Sequence, residues 1–478
     1  MKKTFSMLAL TGLLALPGAG EAASLESEIA DLKRQLAEQQ AQLDALDQTV
    51  WHDIGTRFHW SGDFRSRYDY YSRDRYTADN HNATVTEKND SLMTNRLRLN
   101  MYARALDNVE FVGRLAMFKA WGMQNAPADE AGFIGGPAID GNSGRRVDDN
   151  KLLVDRAIVN WNNIADTNFW FSIGRRPTTD GPPSQLRLNE DRRLATPVSY
   201  MDWPFDGLTV GYAYDRLFNF LDLPGRVRFC YGRGFEAGLG SNTIKDTDFM
   251  GISWDIYNQN DRFVYFQSYI AMDVFNYPDI ADPSVQMGSR DNVGDIYHTS
   301  ALYMDKVQSV NYFIAGGWSR TDPNQNGMFN DPIAMMGGAP ANTSSENGYS
   351  LYVGTRYDIP NSQFKVGLEY NYGSKYWIGM SPGHDEIYAS KLATRGHVYE
   401  IYGIYDIPGR QVSPLGNAFI RVGYQHYRYN YTGSLDWNVK PYDIDSATDR
   451  MIVSGMGAAG PLMVKDADQV YVTFEVKF

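Results

Sequence analysis

The 478-residue chain has one cysteine, Cys230. A single thiol cannot build a disulfide scaffold, an iron–sulfur cluster or a zinc ribbon. Long apolar runs are also missing. A membrane-spanning helix needs about 20 apolar residues, and the only candidate, Phe5–Leu16, is too short. Basic excess is missing as well. The 45 Lys and Arg are outnumbered by 57 Asp and Glu, for a net charge of −12. That balance argues against nucleic acid as a partner, since it leaves no basic footprint. Catalytic signatures are absent too. There is no HExxH pair among the seven histidines, no Gly-x-Ser-x-Gly elbow, no Walker loop and no haem-attachment motif. The expectation is a protein that is not an enzyme and needs no cofactor and no metal. Cys230 sits beside Arg226 and Arg228 at an inward parity, where a basic neighbourhood could lower a thiol pKa. The preferred reading is a passive small residue.

What is abundant is aromatic and small. The chain holds 32 Tyr, 23 Phe, 10 Trp and 44 Gly, while mean hydropathy is only −0.44. Such a chain can bury enough apolar surface to offset ordering entropy, so disorder is excluded. The loading of Tyr and Gly onto a moderately hydrophilic background needs a positional explanation.

Residues 1–22 have the form of a secretory signal. Lys2 and Lys3 precede the apolar run, Pro17-Gly18 breaks it, and Gly20-Glu21-Ala22 offers a small-residue cleavage site. Residues 23–50 form the one heptad segment. Leu25, Ile29, Leu32, Leu36, Gln39, Leu43, Leu46 and Val50 are spaced alternately by four and three. This narrow a/d stripe predicts a coiled coil and therefore oligomerisation, with Gln39 able to fix register. An isolated helix of that length is marginal in water. The competing reading is an amphipathic helix packed on its own domain.

From residue 51 to 478 the period changes to two. In Val470–Phe478 one face carries Val, Phe and the other Tyr, Thr, Glu, Lys. Sixteen candidate strands follow this pattern, roughly 58–70, 91–105, 109–119, 152–161, 169–176, 207–214, 226–232, 247–256, 262–272, 295–304, 308–319, 349–357, 364–374, 396–406, 418–430 and 467–478. Connections alternate, short as at Leu106-Asp107-Asn108 or Asp305-Lys306-Val307, then long as at 120–151, 320–348 and 431–466. Short turns on one rim and long loops on the other are the mark of a transmembrane barrel. The predicted fold is all-β, an antiparallel membrane β-barrel of about 16 strands with a short N-terminal helical coiled coil. Aromatics should gather at the ends of outward faces, and Gly at inward positions such as Gly354, Gly367 and Gly423.

The signal, the alternating strands and the aromatic terminus Phe478 together resemble bacterial outer-membrane porins. The heptads followed by Trp60-Ser-Gly-Asp-Phe-Arg-Ser-Arg-Tyr68 look like an uncharacterised porin-like group with a periplasmic coiled coil. The resemblance implies a Gram-negative outer membrane as location, with lipid, the barrel-assembly machinery and further copies of the chain, as a homotrimer, for partners. It implies that the machinery reads Phe478, and that small hydrophilic solutes or ions pass through.

Parity places Arg65, Arg67, Arg96, Arg98, Arg114 and Arg156 on one lumen wall. Strands lie about 4.8 Å apart, so these could form a guanidinium ladder. The alternative is neutralisation by Asp63, Asp69 and Asp155. The porin resemblance further implies that the segment 177–206 folds inward as a constriction. The segment carries Arg187, Glu190, Asp191, Arg192 and Arg193, of which Glu190 and Asp191 would then face the Arg wall and set a transverse field; the alternative is an ordinary extracellular loop. Two rival functions stay open, a tethered structural or binding barrel and an outer-membrane hydrolase. The acidic stretches 140–149 and Asp436, Asp443, Asp445, Asp449 fall short of a complete calcium loop.

Overall fold

A computed structural model describes residues 58–77, 81–122, 150–176, 181–190, 200–201, 205–216, 223–238, 244–276, 291–381, 389–413, 415–457 and 460–478. The chain divides into two units, Met1–His59 and Trp60–Phe478. The signal at 1–22, the coiled coil at 23–50 with Leu25, Ile29, Leu32, Leu36, Gln39, Leu43 and Leu46, and the acidic stretch 140–149 lie outside the described residues.

The second unit is built on a closed antiparallel barrel of sixteen strands. In chain order these are β1 (Phe58–Tyr76), β2 (Thr84–Leu106), β3 (Val109–Ala120), β4 (Leu153–Trp161), β5 (Phe169–Arg176), β6 (Phe205–Tyr214), β7 (Gly225–Phe235) and β8 (Thr247–Gln259). They continue with β9 (Arg262–Phe275), β10 (Asn292–Val307), β11 (Val310–Pro323), β12 (Asn347–Asp358), β13 (Phe364–Gly373), β14 (Gly396–Asp406), β15 (Asn417–Tyr429) and β16 (Met463–Lys477). Each strand pairs with its sequence neighbours, and β16 returns to β1 with Tyr68 opposite Val472. Gly62 and Phe478 exchange both backbone hydrogen bonds at 2.8 and 3.0 Å, extending that seam to the final residue. Closure leaves no unpaired edge, as a wall in lipid requires.

The two faces of β16 show which medium each meets. Val470, Val472 and Phe474 are 38–45% exposed, whereas Tyr471, Thr473 and Glu475 are at most 1% exposed. Apolar side chains point out and polar ones point in, the reverse of a soluble sandwich. Trp161, Tyr357 and Phe478 stand exposed near strand ends, as outward aromatics should.

Glycine has a specific place. Trp170 is paired across strands with Gly211, Tyr269 with Gly251, Phe313 with Gly354, Tyr402 with Gly367, and Tyr471 with Gly423. In each pair a Cβ on the glycine would fall against the partner's ring or its base. The missing side chain lets the ring lie flat over the neighbouring backbone on the lumen side.

Three departures from the sequence reading have local causes. β1 and β2 run on beyond the predicted 58–70 and 91–105 as a hairpin, held by Glu87 to Arg73 at 2.7 Å and by Thr86 to Asp74 at 2.6 Å. Their charged, alternating ends look like loop when only apolar alternation is scored. Asp305–Val307 belongs to β10, and the turn is Gln308-Ser309, with Gln308 at φ 54°. β9 is apolar on both faces because its inner face, Phe263 and Tyr265, packs against Leu302 and Met304 rather than water.

Long-rim connections fold back over the barrel. The connection 324–346 carries α1 (Pro332–Met336), and 430–462 carries α2 (Ala447–Gly455). Asn330 forms a β-bridge with Val439, and Met201 with Met380. Among the described residues no helix is long and apolar enough to cross a membrane.

Candidate functional site: the charged lumen

The arginines selected by parity line the inner wall. Arg65 and Arg67 lie on β1, Arg96 and Arg98 on β2, and Arg114 on β3 directly opposite Arg156 on β4. A register shift beside Arg114 inserts Asp155 next to Arg156, so consecutive residues of β4 both reach the lumen side. The wall carries its own counter-charges. Asp63 accepts from Arg96 at 3.1 Å and from Arg98 at 2.7 Å. Asp69 accepts from Arg67 Nε at 2.9 and 2.8 Å, and Asp155 pairs with Arg114. Arg67 also stacks 4.6 Å over the Tyr471 ring.

Further arginines lie on the inner side beyond those selected by parity. Arg176 on β5 and Arg226 and Arg228 on β7 face the same lumen, with Asp255 of β8 paired to Arg226 and, at 2.6 Å, to Arg228. The i, i+2 spacing of Arg226 and Arg228 repeats that of Arg65/Arg67 and Arg96/Arg98, so the signal was present in the sequence.

The β5–β6 connection lies against the opposite wall. Within it, 181–189 are buried and cross to β10, β12, β13, β14, β15 and β16. Arg356 donates to the Leu186 carbonyl and Arg421 to the Arg187 carbonyl, both at 2.7 Å. Lys477 donates to the Leu188 and Asn189 carbonyls at 3.3 and 3.1 Å. Asn189 is clamped between Asp406 and Lys365, each at 2.7 Å. Arg187, fully buried, meets Glu400 at 3.5 Å, while Glu190 meets Arg98 at 3.4 Å and Lys477 at 3.3 Å. Asp191, Arg192 and Arg193 lie outside the described residues.

A second inward segment, in the β13–β14 connection, carries residues that no motif marked. Lys391 is 1% exposed and sits between Glu369 and Glu400, the latter at 2.6 Å. Glu400 also accepts from Tyr471 at 2.7 Å. Trp377, fully buried, donates to the Leu392 carbonyl at 2.8 Å. Arg395 ties this segment to the last loop through the carbonyls of Trp377 (3.1 Å), Thr432 (3.2 Å) and Asp436. Burial pushes the Asp436 carboxyl up to about 6, although it accepts backbone N–H groups from Asn438 and Val439 and feels Arg395. Burial likewise pulls Arg395 down to about 10.

The acidic residues of the last loop serve as backbone acceptors. Asp443 N–H donates to Asp449 at 2.8 Å, and Asp445 N–H to Asp443 at 2.9 Å. Among the described residues no cluster of His, Cys, Asp or Glu is arranged to hold a metal ion. Cys230 is half-buried on the inner face and accepts from Thr209 at 3.5 Å.

No curated protein matches this sequence. Several solved barrels share distant likeness in shape. OmpT, an outer membrane protein of Vibrio cholerae, has 11% identity over 88% of this chain and 97% of its own, with a TM-score of 0.41. OmpF of Salmonella typhi, solved with daunomycin, has 11% identity over 88% and 97%, with a TM-score of 0.42. An anion-selective porin from Comamonas acidovorans has 10% identity over 88% and 99%, with a TM-score of 0.44. Such distances carry no argument about what this chain does. The family level is firmer, because one family's sequence model matches residues 86–478, from β2 to the last residue of the chain. The chain therefore belongs to the family described as "Protein of unknown function (DUF3373)".

Proposed function

We propose that the protein is an outer-membrane channel for passive diffusion of small hydrophilic solutes or ions. The supporting observation is the closed sixteen-strand wall whose outward side chains are apolar and whose inward side chains are charged. A pore needs width, charge pattern and constriction, not a catalyst. The arginines from Arg65 to Arg156 would form its basic wall. The segment 177–206 would form its constriction, with Arg187 and Glu190 bringing charge to the narrow region. The N-terminal heptads would stand in the periplasm and hold a trimer together, and Phe478 would be read during barrel assembly. We propose no catalytic role.

The test is conductance in planar bilayers. Stepwise openings of the purified protein are expected, and their absence would overturn the channel reading. Deleting residues 25–50 should lower oligomer mass while leaving heat-modifiable barrel migration. An unchanged oligomer would move the interface to the barrel wall. One observation favours a second reading, a closed barrel that binds or tethers. The segments around Arg187 and Lys391 are fully buried and locked to the wall by buried ion pairs. A silent bilayer with intact trimers would favour it.

A further inference from the structure

Between β7, β8 and β9 the inner wall leaves a half-open cavity of about 50 Å³, mostly apolar through Met201, Phe205, Phe249, Met250 and Ile252, with Cys230, Ser253, Gln267 and Tyr269 supplying its polar groups. Its polar groups have one character. Tyr265 O–H donates to Gln267 Oε1 at 3.1 Å, which occupies the acceptor end of that amide and leaves Nε2. Gln267 Nε2 and Tyr269 OH are buried with no hydrogen-bond partner, and so are Arg228 Nε and Arg176 Nε beside them. All four can donate. Arg228 is level with Ser253 in the β7–β8 ladder, and Cys230 with Gly251, so the guanidinium flanks the cavity one row away. Arg228 itself is 4% exposed.

Charge points the same way. Arg176, Arg226 and Arg228 gather here, and Asp255 is the carboxylate paired with two of them. Buried cations in excess of buried anions are costly unless a counter-ion joins them. Buried donors without acceptors add to that cost. An occupant supplying several acceptor oxygens and negative charge removes both penalties at once, and guanidinium forks suit such oxygens. One water needs about 10–15 Å³ on the same measure, so the cavity has room for a small ion.

We propose that this cavity is a binding site for a small free oxyanion, held by Gln267 Nε2 and Tyr269 OH, with the positive charge of Arg228 one row behind them. The site deepens the channel reading, resting on it only for the route by which an anion arrives. Inorganic phosphate is the probe. Full-length protein in detergent, in chloride buffer of constant ionic strength, is titrated calorimetrically and melted with and without phosphate. Wild type is expected to bind phosphate and to melt higher in its presence. Tyr269→Phe keeps the ring over Gly251 and removes one donor. It should fold normally and bind roughly tenfold more weakly, the scale of one hydrogen bond to a charged group. Gln267→Leu should weaken binding to a similar degree. No phosphate-specific heat or melting shift in wild type would overturn the site, as would equal binding by Tyr269→Phe and Gln267→Leu. Bilayer conductance is read separately. A channel that conducts without binding phosphate refutes the site alone, and a protein that binds phosphate but never conducts refutes the channel alone.

Discussion

Arg421 of β15 donates from Nη1 to the Arg187 carbonyl at 2.7 Å and from Nη2 to Glu475 of the neighbouring β16 at 3.1 Å. One buried guanidinium thus joins the inward segment to the barrel wall. Together with Arg356, which holds the Leu186 carbonyl, it replaces the ladder partners that an irregular segment lacks. Replacing both arginines by Gln should release 181–190 from the wall. The expected outcome is a larger and noisier single-channel current, measured in bilayers against wild type. An unchanged current distribution would show that this segment does not limit the bore.

The Arg96→Ala, Arg98→Ala double variant tests the basic wall. Asp63 takes both side chains, so the change removes two positive charges and leaves a buried carboxylate without these partners. Reversal potential under a salt gradient should move toward cation preference. A fixed potential would mean that neutralising pairs, not excess charge, define that wall.

Lys391 offers a stability test. Removing it as Lys391→Met leaves Glu369 and Glu400 facing each other in the interior without their shared cation. Breaking a buried pair from one side typically costs about 3–5 kcal/mol. The heat-modification temperature should fall markedly. Restoring neutrality with Glu369→Gln in the same chain, which leaves Glu400 its pair with Arg187, should recover much of the loss.

The last loop should respond to pH through Asp436. Burial raises its carboxyl from the ordinary range to about 6. The folded loop therefore holds this proton more tightly than the unfolded chain does. Its contribution to stability is full below the unfolded value of about 3.9 and is lost as pH rises through about 6. Hydrogen exchange over 430–446 should slow, after correction for intrinsic rates, as pH falls from 7 to 5. Asp436→Asn should abolish that change.

A fifth test probes the glycine pairs. Gly367→Ala puts a methyl group into the ring of Tyr402. Overpacking of this kind costs about 1–3 kcal/mol, and the ring must leave the wall. Lower thermal stability with a narrowed pore is expected. A variant with wild-type melting and conductance would show that the ring has room elsewhere.

The barrel was legible in the sequence because lipid on one side and polar lumen on the other impose strict alternation. Val470 to Phe474 shows it without tertiary information. The glycines at 354, 367 and 423 were legible as inward positions for the same reason. Their aromatic partners were not, since cross-strand register decides that Phe313 meets Gly354 and Tyr471 meets Gly423. The arginines from Arg65 to Arg156 share a repeated spacing and stood out. Lys391 did not, because a single lysine in a long connection has no period. Its partners Glu369 and Glu400 come from two strands whose approach depends on how a loop folds inward. Arg356 and Arg421 were missed likewise, since neither belongs to an arginine pair at i, i+2 spacing.

The glycine pairs bear on how such a bore could be resized. A side chain standing upright takes its length from the lumen, whereas a ring lying flat over glycine takes only its thickness. At Tyr402 and Tyr471 how far the ring stands into the barrel interior, and so into the proposed bore, is thus governed by the glycine opposite it. Exchanging a glycine for alanine narrows the bore, and exchanging the ring for a small residue widens it, with the strand count unchanged. Caliber then becomes a trait that single substitutions can tune.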